Sequence, residues 1–116
     1  MARRKLEVLA EEDCFALLGQ GQLGRLVYQD DLGPVAVPVN YAMAEGDVIL
    51  RVHGGAKRAA MQRSHIAFEG DHVDEDEHSG WSVIVRGVGH EIPIEHVPEL
   101  LHHMGGHFLD PWTTGV

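Results

Sequence analysis

The sequence predicts a mainly β domain, an antiparallel barrel with short helices over its ends. Segments of alternating bulky and small residues recur along the chain, and short turns rich in Gly, Asp and Glu separate them. A chain of 116 residues can enclose one hydrophobic core. A strand-rich domain of this size leaves strand edges and apolar surface exposed, so we also expect a homodimer.

The first predicted element is a short helix at Glu11 to Gly19. Its apolar residues recur at helical spacing, its first turn is acidic, and a glycine ends it. The one cysteine, Cys14, belongs to the apolar stripe and is expected to pack there. A strand at Gln22 to Gln29 follows, closed by a turn at residues 30–33.

The most informative stretch runs from Pro34 to Lys57. Bulky residues alternate with smaller ones from Val35 to Met43, which predicts a strand with one buried face. A turn at residues 45–47 leads to a second strand, which ends in two glycines and a predicted helix start. Arg51 and Lys57 flank those glycines. Backbone amides at a helix start together with cations suit phosphate, so the stretch predicts an anion-binding site.

Two further strands and a short last helix complete the prediction. The fourth strand is expected at His65 to Val73, and an acidic, solvated loop at residues 74–79 links it to the fifth strand at Trp81 to Glu91. Gly87 and Gly89 within the fifth strand predict a bend or a bulge.

Composition excludes several classes of function. The formal charge of −9, with only nine Lys and Arg, argues against a nucleic-acid binder. The sequence shows neither a membrane-spanning apolar stretch nor a signal peptide, so we expect a cytoplasmic protein that binds no membrane. A single cysteine and scattered histidines predict no metal site. No nucleophile-and-base pattern stands out, which fits a protein whose cofactor supplies the chemistry.

Five ordered segments carry a resemblance to a known family. They read LLGQGQLGRLVY, PVAVPVNY, VILRVHGGAK, FEGD and GWSVIVRGVG. In order and spacing they resemble the pyridoxamine 5′-phosphate oxidase-like family of FMN-binding split barrels, over about Glu11 to Trp112. The resemblance implies a split β-barrel for residues 11–116, after a flexible segment at residues 1–10, and a homodimer with FMN at the subunit interface.

The resemblance also implies where the chain departs from the family. Relatives continue past the position of Trp112 into a closing strand, so residues 11–116 are expected to lack the family's last strand. True pyridoxamine phosphate oxidases carry basic, substrate-gripping residues in that region. Vitamin B6 oxidation is therefore not expected of this chain.

The cofactor site that the resemblance implies has a phosphate end and a ring end. Arg51 and Lys57 would grip the FMN phosphate, while His53 stands where relatives often carry a small hydroxyl residue. Backbone at residues 38–41 and 50–52 would run beside the isoalloxazine ring. The full set of expected cofactor residues is Pro38, Val39, Asn40, Tyr41, Leu50, Arg51, Val52, His53, Lys57, Trp81, Ser82 and Trp112.

Three functional hypotheses follow from this site. The first is a flavin-dependent oxidoreductase that passes hydride between a nicotinamide or similar donor and a small-molecule acceptor. The second replaces FMN by the deazaflavin F420, although the acidic charge favours FMN because the F420 tail prefers a basic groove. The third is a non-enzymatic flavin- or haem-binding module, in which His53 would serve the haem. Arg25 is expected to be structural or to lie at the dimer surface.

Overall fold

The computed structural model describes residues 6–44, 46–50, 65–90 and 92. They form one helix and five strands, namely α1 (Glu11–Leu18), β1 (Leu23–Asp30), β2 (Gly33–Ala44), β3 (Asp47–Leu50), β4 (His65–Asp74) and β5 (Ser79–Val88). The strands make one antiparallel sheet in the order β3-β2-β1-β4-β5. This curled half-barrel sheet confirms the predicted antiparallel, split-barrel class.

The turns form where the sequence predicts them. The β1–β2 turn contains Gly33, whose φ of +122° favours glycine, and the Leu32 amide donates a hydrogen bond to Asp30 Oδ1 at 2.8 Å. Gly46, with φ +82°, lies in the β2–β3 turn. Two short turns thus bring β1, β2 and β3 side by side.

Pairing of β4 with β5 corrects one sequence prediction. The ladder runs without interruption from His65 opposite Val88 to Asp74 opposite Ser79, and Gly87 pairs directly with Ile66. A bulge would place two residues of one strand against one of the other. The predicted bulge at Gly87 is therefore wrong, and Gly89 lies beyond the end of β5.

One face of the sheet, the core face, packs with α1 around the hydrophobic core. The alternation of β2 places Val37, Val39 and Tyr41 on this face. The buried apolar residues are Leu18, Leu26, Tyr28, Val37, Val39, Tyr41, Phe68 and Val83. Cys14 packs against this cluster from α1, as the sequence predicted.

A junction at Tyr41 holds α1 against the sheet. The Tyr41 hydroxyl donates a hydrogen bond to the Leu18 carbonyl at the end of the helix. Its ring lies 4.6 Å, between centroids, from that of Phe68 on β4. Close approach here requires glycines, since a Cβ on Gly21 or Gly70 would overlap the Tyr41 hydroxyl or the Leu18 side chain. The helix therefore closes one side of the core with little freedom to move.

Candidate functional site

Two of the predicted cofactor residues lie on the outer face of β2, opposite the core face. Pro38 is half-buried and pairs in register with Arg25 of β1, and Asn40 is 6% exposed and pairs with Leu23. The neighbouring outer positions of β2 are Ala36 and Ala42. Exposure of the outer face falls along β2, from the exposed Ala36 through the half-buried Pro38 to the buried Asn40, so a ligand reaches this face most easily near Ala36.

Four predicted residues direct their side chains to the core instead. Val39 and Tyr41 are buried, and Leu50 and Trp81 are partly buried and pack against the core cluster. Tyr41 and Leu50 are register partners in the β2–β3 ladder, and the Tyr41 amide donates a hydrogen bond to the Gln22 carbonyl at 3.0 Å. For Trp81, the contact with the core makes it an anchor of β5.

Ser82 shares the outer face with Pro38 and Asn40 but lies far from them along the sheet. It is exposed on β5, opposite Asp71 of β4. Three strand spacings separate β5 from β2, or about 14 Å. That separation exceeds the reach of a single hydrogen bond or ring stack, so one copy of the sheet does not gather these residues at one point.

The remaining expected cofactor residues lie outside the part of the chain that the structure describes. They are Arg51, Val52, His53, Lys57 and Trp112. The phosphate end of the site, including the predicted anion-binding stretch, therefore stays a prediction from the sequence.

A cluster of charged residues that the sequence did not predict lies at the centre of the outer face. Arg25 Nη1 lies 3.4 Å from Asp71 Oδ2 and 3.6 Å from Glu69 Oε1. Arg25 and Glu69 are register partners on β1 and β4, and Asp71 is two positions further on the same face. The signal in the sequence was the spacing of the two acids in FEGD, because residues two apart in a strand share a face.

The environment of Glu69 disfavours its charged form. Burial raises the pKa of the Glu69 carboxyl, and the hydrogen bond and charge of Asp71 raise it further, while Arg25 lowers it. Glu69 Oε1 is buried and accepts no hydrogen bond within the described residues. Protonation of Glu69 is therefore favoured relative to an isolated glutamate.

Replacing Glu69 with glutamine is expected to change how stability depends on pH. Folding raises the pKa of this carboxyl. At a pH where the carboxyl is protonated in both the folded and the unfolded chain, it does not change the free energy of unfolding. Once the pH exceeds the pKa of the unfolded chain, the carboxyl destabilises the fold. The stability of Glu69→Gln relative to the wild type should therefore rise as the pH increases above about 4, the ordinary value of the unfolded carboxyl. Urea unfolding at several pH values measures this, with the exposed turn variant Glu77→Gln as control. A difference between wild type and Glu69→Gln that stays constant with pH would contradict the raised pKa.

Neither a metal centre nor a membrane-spanning helix occurs in the part of the chain that the structure describes. Among residues 6–44, 46–50, 65–90 and 92, no group of three or more His, Cys, Asp or Glu is placed to hold a metal ion. In the part of the chain that the structure describes, no helix has the length and apolarity that crossing a membrane requires.

Comparison with known proteins gives consistent matches. The sequence model of a family described as pyridoxamine 5′-phosphate oxidase matches residues 10–115. An uncharacterized protein of Mycobacterium tuberculosis is 32% identical over 95 residues, which cover 77% of this chain and 62% of that protein. The chain thus spans less than two thirds of that relative's length.

Solved structures match as well. An FAD-binding protein from Mycobacterium smegmatis is 33% identical, with a TM-score of 0.68, covering 77% of this chain and 82% of the other. An FAD-binding protein from Mesorhizobium loti is 23% identical, with a TM-score of 0.67, covering 85% of this chain and 77% of the other, and supports the fold alone.

Proposed function

The chain belongs to the pyridoxamine 5′-phosphate oxidase family, and from that premise we propose that it is a cytoplasmic flavoprotein. In this proposal a flavin binds between two copies of the chain and carries hydride to a small-molecule acceptor. The observation that carries the proposal is the match, at 33% identity and over most of both chains, to a solved FAD-binding protein.

The outer face of β2 fits the ring of a flavin. Pro38 lies there between the exposed Ala36 and the buried Asn40, so a flat aromatic ring on this face meets only small side chains. Backbone N–H and C=O groups that are not used in the sheet are the polar groups that orient such a ring. These residues would bind and orient the cofactor and keep water from one side of it.

Sharing the site between two copies is supported by the separation of its residues. Ser82 and Pro38 lie on one face but about 14 Å apart along the sheet. A second copy packed against this face would supply the missing contacts from its own strands. Arg51 and Lys57 would hold the phosphate through charge-assisted hydrogen bonds.

When bound, the flavin supplies the hydride chemistry, and the protein supplies binding, orientation and electrostatics. This division of labour agrees with a site whose described polar residues are Asn40, Ser82 and the Arg25 cluster, since none of them forms a nucleophile-and-base pair. Backbone amides of the protein near the pyrimidine end of the flavin ring would stabilise the reduced, anionic form of the cofactor.

The absorption spectrum of the purified protein tests the proposal. Two bands, in the near ultraviolet and the blue, are expected for a flavin, and reduction by NADH or NADPH without oxygen should bleach the blue band if the protein is an oxidoreductase. A single violet band would indicate F420, and a sharp Soret band would indicate haem. A colourless protein that takes up none of these cofactors would overturn the proposal.

FAD is a second candidate for the same site. The FAD-binding relative from Mycobacterium smegmatis favours it, whereas the family resemblance of the sequence implies FMN. The mass of the cofactor released by denaturation distinguishes the two, because FAD is larger by an adenylate group. We expect FMN, with one molecule per chain.

A further inference from the structure

The ladder between β1 and β4 stops short of the ends of both strands. Its last register pair sets Val27 opposite Ala67. Beyond that level β1 continues to Asp30 and β4 extends back to His65, and no register pair joins them there within the described residues. A groove of about 290 Å³ opens at this place. The outer-face residues that line it are Val27, Gln29, Pro34, His65, Ala67 and Arg86.

The groove has an apolar floor and a polar rim. Val27 and Ala67 are half-buried and lie side by side as register partners. Gln29, His65 and Arg86 are exposed around them. A flat apolar body can therefore pack on the floor while the rim offers N–H donors to a polar group. The volume is near the lower limit of ligand pockets, so the groove suits a molecule with a single ring.

Arg86 brings to this rim a positive charge that no described residue neutralises. The ion pairs in the part of the chain that the structure describes are those of Arg25 with Glu69 and Asp71. Across the ladder, Arg86 faces Ala67. Glu69, on the next level of the same face, lies 3.6 Å from Arg25. Among these residues the Arg86 guanidinium therefore keeps its donors for a ligand, and the two oxygens of a carboxylate match its planar fork.

We propose that the groove between β1 and β4 binds a small organic acid, with its carboxylate on Arg86 and its apolar body on Val27 and Ala67. His65 lies on the same face, one level from Arg86, and would add a second N–H donor to the carboxylate. The formal charge of −9 disfavours ligands with several negative charges, so the ligand class is a monocarboxylate.

The groove lies beside the part of β2 that the flavin ring is proposed to cover. Val27 is the register partner of Ala36 on β2, and Pro38 is two residues, or about 7 Å, further along the same face. An acid in the groove would thus be a neighbour of the cofactor ring. The inference names the class of small molecule on which the flavoprotein acts, and for that role alone it rests on the proposed function.

Titration calorimetry of the full chain with trans-cinnamate tests the site. The wild type should bind cinnamate at least about 10-fold more tightly than cinnamyl alcohol, which has the same ring and chain without the charge. Arg86→Gln should weaken cinnamate binding by about 10-fold or more and leave the affinity for the alcohol unchanged, because only the carboxylate contact is lost.

Two further variants separate the parts of the groove. Ala67→Leu fills the floor and should weaken the binding of cinnamate and of cinnamyl alcohol alike. His72→Gln is the control, since His72 is exposed on the same strand but does not line the groove, and it should bind cinnamate like the wild type.

Equal wild-type affinities for cinnamate and cinnamyl alcohol, or cinnamate binding that Arg86→Gln does not weaken, would overturn the proposed site. Repeating the titration on flavin-loaded protein should give the same cinnamate affinity. Loss of cinnamate binding on loading would assign the groove to the cofactor and also overturn the proposal. A chain that binds cinnamate through Arg86 but takes up no flavin keeps the site and refutes only the proposed function.

Discussion

The double variant Arg51→Ala with Lys57→Ala is expected to weaken FMN binding by about 3–6 kcal/mol. Each charged contact with a phosphate contributes roughly 1.5–3 kcal/mol, and the family resemblance assigns both cations to the phosphate. The reason is electrostatic, because the phosphate dianion would lose its two nearest positive charges. Fluorescence titration of the cofactor-free protein with FMN measures the change.

Riboflavin, which lacks the phosphate, provides the sharpest control for that variant. Its affinity should be nearly the same for the wild type and the double variant, because the ring contacts on the outer face of β2 are unchanged. Arg58→Ala is the matched cation control, since Arg58 is expected on the solvated side of the predicted helix. Unchanged FMN affinity in the double variant would move the phosphate site elsewhere.

Gly24→Ala is expected to lower the free energy of unfolding by about 2–3 kcal/mol. A Cβ on this residue would lie 2.3 Å from Phe68 Cζ and 2.7 Å from the carbonyl oxygen of Glu69. The Phe68 ring cannot move aside easily, because it is 3% exposed and packs against Tyr41. Urea unfolding with tryptophan fluorescence measures the loss.

Gly87→Ala is the control for this prediction. It also lies within a strand, but a Cβ there would meet no atom within 4 Å. Its effect on stability should be small, or slightly favourable through the reduced entropy of the unfolded chain. Equal stability losses in the two variants would show that the glycine backbone, and not the Phe68 contact, decides the cost.

Local patterns predicted most of the secondary structure. The alternation in β2 identified its buried face, and the turn residues before Gly33 set the end of β1. Of the bend or bulge predicted at Gly87, the bulge was wrong, because a glycine in a strand can also pair in ordinary register and only its partner strand decides this.

The site was less predictable than the fold. Trp81 packs against the core from the same face as Val83 and Val85, as the alternation of β5 indicates, and its contact with the cofactor stays a prediction of the resemblance. Arg25 could be recognised as a structural or surface cation, but its partners could not. They lie on β4, and Asp71 is 46 residues away in the chain.

By itself, the sequence determined the strands, the turns, the face that β2 buries and the family to which the chain belongs. Those properties depend on neighbours a few residues apart, which a linear pattern contains. Only the tertiary structure decided that β4 pairs with β1 and β5, and so which charges meet on the outer face. Strand order results from packing the whole core, and the Arg25 cluster follows from it.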